Sequence, residues 1–283
     1  MALTDIRTCP TYVINLDRRP DRWQAFFQQP ALSQFTQFQR FSAVEGKNLD
    51  VLTDTRISAH TRQNIHRKFR RSHYEICTPG AIGASLSHIT LWQNFLKSDA
   101  QYLVVFEDDT VVDEKALKYV DLLIPRLPAE WDMWLLGMHA WMFEGKPLNP
   151  ANPKGWWTVK QFTGAHAYVL SRRGAEILCS EPFPIETHIE YYISACAELK
   201  GLKLIRHWAL RMTYFAELTE GDDSDTWDSR NSCPVCYIPD RYPQVGFYMS
   251  YMRLGSILAA GAALGFVSLA GYVSGKKLAS RLT

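Results

Sequence analysis

Residues 102–106 read YLVVF, a charge-free apolar run, and Glu107, Asp108 and Asp109 follow it at once. A continuous apolar stretch of this length is the mark of a strand covered on both faces. Such a strand has to lie inside a sheet with helices packed above and below it, which leaves few architectures open. Side chains alternate along extended chain, so Glu107 and Asp109 point to one side and Asp108 to the other. The three acids therefore emerge together at the carboxyl end of a buried strand. Open α/β sheets place their ligands at that end.

The rest of the chain supplies the partners of that strand. Residues 11–17 (TYVINLD) and 39–44 read as strands, the first leading into Pro20, which is well placed to open a helix. Residues 58–76 are polar and basic and read as a loop or mobile flap. From 81 to 96 apolar residues recur at helical spacing behind Pro79 and Gly80. Asp113 caps a helix running to about residue 124, and 132–137 is another strand. Residues 149–155 are a loop rich in Pro, Asn and Gly. Strands over 165–170 and 202–206 alternate with helices over 172–179 and 188–199. Repeated β–α units imply an α/β fold, a mostly parallel sheet flanked by helices.

Three clusters carry candidate chemistry. Adjacent carboxylates repel and resist ionisation unless a cation lies among them. A divalent ion on one or two of Glu107, Asp108 and Asp109, completed by phosphate oxygens, relieves that repulsion and stabilises a departing diphosphate. The plainer reading is a helix cap, but one acid suffices for that and Asp113 is better placed. Arg18, Arg19 and Arg22 follow the first strand, where guanidinium forks suit diphosphate oxygens, or simply sit solvated on a helix. The segment 80–88 (GAIGASLSH) opens a helix with small residues, lets backbone approach a ligand, and brings Ser87 and His88 within reach. It is neither a Walker loop nor a GxGxxG fingerprint.

These stretches together resemble glycosyltransferase family 25, which includes bacterial lipooligosaccharide galactosyltransferases and collagen galactosyltransferases. VINLDRRPDR (13–22) is similar to the family's opening, and FSAVEG (41–46) to its A-V-D-G segment. GAIGASLSHI (80–89) is similar to its G-x-x-G-C-x-x-S-H helix start, with Ala84 where Cys is usual. FEDDT (106–110) resembles its L-E-D-D motif, and GAHAYVLSRRGA (164–175) its later G-x-x-A-Y-x-x-S-x-x-G-A stretch. The match runs in order over residues 11–200. The resemblance implies a GT-A-like (Rossmann-like) fold, a UDP-hexose donor (galactose or glucose), Mn²⁺ or Mg²⁺, and inversion at the anomeric carbon, with lipopolysaccharide or other glycan biosynthesis as the setting. Carried over by position, Glu107 and Asp109 hold the metal. Asn15, Asp17, Arg18 and Arg22, with Ser87 and His88, line the nucleotide pocket. Inverting transfer needs a carboxylate to take the acceptor hydroxyl's proton. Glu186 is the first candidate, in a Pro-Ile-Glu where the family commonly has Pro-x-Asp, and Glu190 the second, four residues on along one helix face. The rival readings are a catalytically silent sugar-binding or scaffold protein and a nucleotide-sugar hydrolase.

Composition limits the partners. A net charge of +2 argues against nucleic acid, although Arg67, Lys68, Arg70 and Arg71 cluster on a run that reads as a solvated loop, a phosphate site or a membrane-facing patch. Six cysteines are too sparse for a disulfide scaffold, and the lone Cys233/Cys236 pair lacks the four ligands of structural zinc. The acids of 217–228 read as an acceptor-side loop or solvated surface. The expected organisation is a catalytic domain over 1–240, a linker over 241–253, an uncharged hydrophobic helix over 254–275 and a basic tail over 276–283. As a helix, the 254–275 run spans about 33 Å, enough for a bilayer core of about 30 Å. Its Gly261/Gly265 and Gly271/Gly275 spacings suit helix packing in lipid, and its other reading is a helix docked on the soluble domain. With no signal sequence at the amino terminus, the expectation is a cytoplasmic catalytic domain associated with a membrane through this tail.

Overall fold

The computed structural model describes residues 2–139, 143–214 and 225–226. One eight-stranded sheet organises them, with strands β1 (Thr11–Asn15), β2 (Phe38–Ser42), β3 (Tyr102–Glu107), β4 (Met133–Gly137), β5 (Phe143–Pro147), β6 (Trp156–Phe162), β7 (Ala167–Ser171) and β8 (Leu204–His207). Their order across the sheet is β2-β1-β3-β7-β4-β8-β6-β5. Six α-helices flank it: α1 (Pro20–Phe27), α2 (Ala59–Arg67), α3 (Pro79–Leu96), α4 (Glu114–Leu123), α5 (Arg172–Cys179) and α6 (Ile189–Leu199).

The apolar run does what its composition requires. Leu103, Val104, Val105 and Phe106 are all 0% exposed. Leu103 and Val105 belong to the core beneath α3, α5 and α6, while Val104 and Phe106 belong to the core beneath α1 and α4. Burying each such side chain stabilises the fold by about 1.5–3 kcal/mol. The same alternation carries on into the acids. Glu107 emerges toward α3 and Asp108 toward α1, because their side chains reach His88 and Arg22 respectively.

The sheet is mixed, and this corrects the mostly parallel arrangement expected from the sequence. β1 pairs in parallel with β2 and β3, and β4 with β8. The β3–β7, β4–β7, β5–β6 and β6–β8 pairs are antiparallel. The misreading has a physical cause. Ala167–Leu170 of β7 is fully buried although antiparallel, so its composition matches that of a parallel strand. The β5–β6 hairpin goes unread for a different reason. β5 is FEGKP, a largely exposed edge strand ending in proline, with no alternation to betray it.

Residues 58–76 also differ from the expected loop. Ser58 caps α2 through the amide of Thr61, and Thr61, Asn64 and Ile65 are buried. Arg70 is only 4% exposed, its Nη1 lying 3.2 Å from His188 Nε2, so the basic run is partly interior. Cys9, Cys77, Cys179 and Cys196 are free thiols. Among the described residues no helix is long and apolar enough to cross a membrane. The expected linker, hydrophobic helix and basic tail over 241–283 lie outside the described residues, as do Cys233 and Cys236.

Helix α3 sets the back wall of the future site. Thr78 caps it through the amide of Ala81, and Pro79 occupies its first turn. Gly83 lets the helix lie against the backbone of the turn after β2. A Cβ there would sit 2.4 Å from Val44 O and 2.7 Å from Gly46 N. Both obstacles are backbone and neither gives way cheaply. Gly83→Ala is therefore expected to destabilise the fold by about 1–3 kcal/mol, the usual range for overpacking. Thermal unfolding checks this, and a Tm within one degree of the parent would contradict the close approach.

Candidate active site

A pocket of about 120 Å³ opens where β1 and β3 end and α3 begins. Arg22, Ser87, His88 and all three acids line it, together with Val44–Gly46. The two strands are parallel neighbours, Ile14 standing opposite Glu107, so their carboxyl ends deliver their following residues to one place.

Asp108 is built into the floor. It is 6% exposed and accepts from Asn15 Nδ2 at 2.6 Å and from Arg22 Nη1 at 3.1 Å. Burial pushes its carboxyl up, and the Asn15 and Arg22 bonds counter part of that. Asn15 is 1% exposed and also donates to the Arg19 carbonyl and accepts from Arg40 Nε. Its amide is thus committed to bracing Asp108 and the turn into α1.

Asp109 is different. Its Oδ1 is buried without a hydrogen-bond partner among the described residues, and the nearest guanidinium, Arg22, lies 4.0 Å from Oδ2. Burial, then the charges of Glu107 and Asp108, push its carboxyl up to about 7. Glu107 moves the other way. Burial opposes its charge, but the His88 hydrogen bond and the nearby His88, His166 and His139 outweigh it and hold the carboxyl below its usual range. One acid thus stays ionised while its neighbour is driven toward the neutral form, the separation that a cation would remove. An orphaned carboxylate oxygen beside an ionised carboxylate fits a hard divalent cation. Among the described residues no cluster of three or more ligating side chains is gathered, so the other ligands of a cation would come from a bound molecule and water.

The arginines expected to meet phosphate stand at one edge. Arg18 bridges Glu45 Oε2 at 2.5 Å and Asp225 Oδ1 at 2.6 Å. Arg19 Nη1 meets Asp225 Oδ2 at 2.8 Å, and Arg22 lies 4.0 Å from the same oxygen. Asp225 therefore occupies the anion position of the cluster. The Thr78 hydroxyl donates to the Thr226 carbonyl at 2.7 Å and ties that segment to the start of α3. Gly80 gives it room, since a Cβ there would sit 2.3 Å from Asp225 O.

Not every residue expected in the pocket lies there. Asp17 is 70% exposed, engaged by Ser42 and Arg40 outside the cavity. The hydroxyl of Ser87 donates to Gly83 O at 2.7 Å and accepts from the Val44 amide at 2.8 Å, so it fixes the wall. Glu186 and Glu190 do not share a helix face, because α6 begins only at Ile189. Glu186 sits exposed on an extended stretch between the Ile57–Ile185 and Glu75–Thr187 bridges. Glu190, in the first turn of α6, accepts from the Gly164 amide at 3.2 Å. Burial and then the Glu107 charge raise its carboxyl, which places it in the electrostatic reach of the acids.

No local pattern announces the ring cluster of His139, His166 and Tyr214, whose centroids lie 5.2–6.3 Å apart. His166 Nε2 donates to Met212 O at 2.9 Å, and its own carbonyl accepts from the Glu107 amide at 2.8 Å. These residues are far apart in the chain and meet because β7 runs antiparallel beside β4 and Tyr214 bridges to Thr110.

The raised carboxyl of Asp109 yields a test on chelator-treated protein. Folded Asp109 keeps its proton to about pH 7, whereas an unfolded Asp releases it near 3.9. Its contribution to stability is therefore fully present below about pH 4 and lost as pH rises through about 7. Asp109→Asn should unfold at a higher temperature than the parent at pH 8 and show no such gain at pH 3.5. Equal shifts at both pH values would contradict the assignment.

The profile described as "Glycosyltransferase family 25 (LPS biosynthesis protein)" matches residues 8–193. A "Glycosyltransferase 25 family member" of Aedes aegypti is 26% identical over 247 residues, covering 77% of this chain and 38% of that one. The "Probable inactive glycosyltransferase 25 family member 3" of Bos taurus is 25% identical over 186 residues, covering 60% and 29%. A "Putative glycosyltransferase" of Haemophilus influenzae is 28% identical over 124 residues, 43% of each chain. The chain thus spans less than half the length of each of these relatives. Among solved structures, A197 from STIV matches with a TM-score of 0.41 at 12% identity, over 74% of this chain and 85% of that one. UDP-glucose pyrophosphorylase complexed with UDP-glucose matches with a TM-score of 0.39 at 10% identity, over 74% and 93%. Likenesses this distant carry no argument about ligand or activity. The profile match covers about two thirds of the sequence and contains the acidic triplet, α3 and Glu190, and on that basis the chain belongs to glycosyltransferase family 25.

Proposed function

We propose that this chain transfers a hexosyl group, galactose or glucose, from a UDP-sugar to a hydroxyl of a glycan, lipid-linked or protein acceptor, with inversion at the anomeric carbon. The observation that carries the reading is the half-relieved acidic triplet. Glu107 stays ionised and Asp109 has an orphaned oxygen, side by side in a pocket that also presents Arg22. Mn²⁺ or Mg²⁺ held by Glu107 and Asp109 together with diphosphate oxygens would supply charge stabilisation for the departing nucleotide.

The residues of the chain divide the remaining work. Asp108, braced by Asn15, keeps Arg22 at the cavity edge, and Arg18 and Arg19 extend the positive charge outward. A diphosphate entering there exchanges with the Asp225 carboxylate as the partner of these guanidiniums. Glu190 is the better base than Glu186. It is desolvated, electrically coupled to Glu107, and held by the Gly164 amide, whereas Glu186 is exposed. In the transfer step the acceptor oxygen bonds to the anomeric carbon as its proton passes to Glu190. The anomeric C–O bond breaks with its electron pair leaving on the β-phosphate oxygen, so atoms and charge balance.

A second reading, a silent donor-binding protein, is favoured by one finding, the "Probable inactive" name of the Bos taurus relative. Nucleotide release from a panel of UDP- and GDP-sugars, with Mn²⁺ and then with EDTA, separates the two. The transfer reading expects UDP release from one sugar, dependent on the cation and stimulated by acceptor. Glu190→Gln should lower kcat by about 10²–10⁴-fold, the usual weight of a general base, with donor affinity changed by less than about threefold. Donor binding with no turnover under any acceptor would support the silent reading. Release at a rate indifferent to acceptor would identify a hydrolase.

A further inference from the structure

Behind the pocket wall runs a line of three hydrogen bonds that the transfer mechanism does not use. Trp92 Nε1 lies 2.8 Å from the Tyr168 hydroxyl oxygen. That oxygen lies 2.9 Å from His88 Nδ1, and His88 Nε2 lies 3.2 Å from Glu107 Oε1. Trp92 and Tyr168 are 0% exposed and His88 is 1% exposed, so water does not compete for these bonds.

The direction of each bond follows from counting protons. An indole N–H only donates, so the Tyr168 oxygen accepts from Trp92. The phenol's own proton is then left to donate, and His88 Nδ1 stands in reach of it. A neutral imidazole that accepts at Nδ1 carries its hydrogen on Nε2. That hydrogen faces Glu107 Oε1. The opposite tautomer would aim an Nδ1–H at the phenol and strand the phenol's proton in a dry interior, at about the price of one unsatisfied polar group, 1–3 kcal/mol.

We infer that Trp92 and Tyr168 are positioning residues. They fix His88 in the Nε2–H tautomer, so that it donates to Oε1 of Glu107 and a ligand in the pocket meets that carboxylate through its other oxygen. The significance of this for donor binding rests on the reading of Glu107 as a cation-holding residue, while the tautomer itself does not. Partners of a ligating carboxylate commonly change metal affinity by about 10–100-fold when removed.

The test is long-range ¹H–¹⁵N correlation spectroscopy of the full chain labelled in histidine, with His88 assigned by its disappearance in His88→Gln. In the parent protein Nε2 should appear protonated and Nδ1 bare. Glu107→Gln is the decisive variant, because an amide can donate or accept and no longer dictates which nitrogen is protonated. The Nε2–H form should persist there and become a mixture when Tyr168→Phe is added. Should the Tyr168 variant fail to fold, the tautomers of the parent and of Glu107→Gln still decide the inference. A protonated Nδ1 in the parent, or a mixture in Glu107→Gln alone, would overturn the inference. Calorimetry with Mn²⁺ in the presence of UDP supplies the functional arm, where Tyr168→Phe should weaken the cation on the order of tenfold. Unchanged affinity would overturn the positioning role. A parent protein with the stated tautomer that binds no Mn²⁺ would refute the donor-site reading and leave the hydrogen-bond chain standing.

Discussion

Three carboxylates set side by side at the mouth of a dry strand are the constraint around which the described part of this molecule is arranged. β3 is buried on both faces, so the backbone that delivers Glu107, Asp108 and Asp109 is held fast at the end of the sheet. Alternation along the strand then hands each acid a different environment. Asp108 falls to the α1 side and finds Asn15 and Arg22, while Glu107 falls to the α3 side and finds His88. Among the described residues Asp109 receives neither a hydrogen bond to Oδ1 nor a close guanidinium, and the residual repulsion concentrates on it.

The rest of the scaffold makes that arrangement durable. Gly83 and the Ser87 hydroxyl clamp α3 to the Val44–Gly46 turn, which fixes the wall carrying His88. Asn15 is saturated by Asp108, Arg40 and the Arg19 carbonyl, so the end of β1 and the start of α1 move as one piece with the acid they brace. Buried polar groups of this kind stabilise only when fully paired, and here the pairing runs continuously from β2 through β1 to β3. Asp225 closes the outer edge by giving Arg18 and Arg19 a carboxylate, which holds the positive charge of that edge in place.

What the chain disclosed in advance follows the same physics. β3 and the triplet were legible because an uninterrupted apolar run and adjacent acids are both local signals. Helix α4 was legible through its Asp113 cap and α3 through helical spacing behind Pro79 and Gly80, whereas the Thr78 and Ser171 caps emerge only in the structure. Strand direction was not, since β7 is as apolar as a parallel strand and only its neighbours reveal that it runs the other way. Spacing suggested that Glu186 and Glu190 share a helix face, but the helix begins between them, and only Glu190 reaches the Gly164 amide. Asn15 and Ser87 were recognised as site residues without their actual task, which is to brace other groups. His139, His166 and Tyr214 carried no local pattern at all, because their meeting depends on pairing between distant segments.

On the proposed function, the proton held by Asp109 stands where a cation would bind. Calorimetric titration of Mn²⁺ into the UDP-bound protein at pH 6.5, repeated in buffers of different ionisation enthalpy, tests it most directly. Burial and the neighbouring carboxylates push the Asp109 carboxyl up to about 7, so it holds its proton well above the usual carboxylate range and a binding cation would expel it. Cation binding should release protons to the buffer, and that release should be lost in Asp109→Asn. Heats that do not vary with buffer, or a release unchanged in that variant, would contradict it.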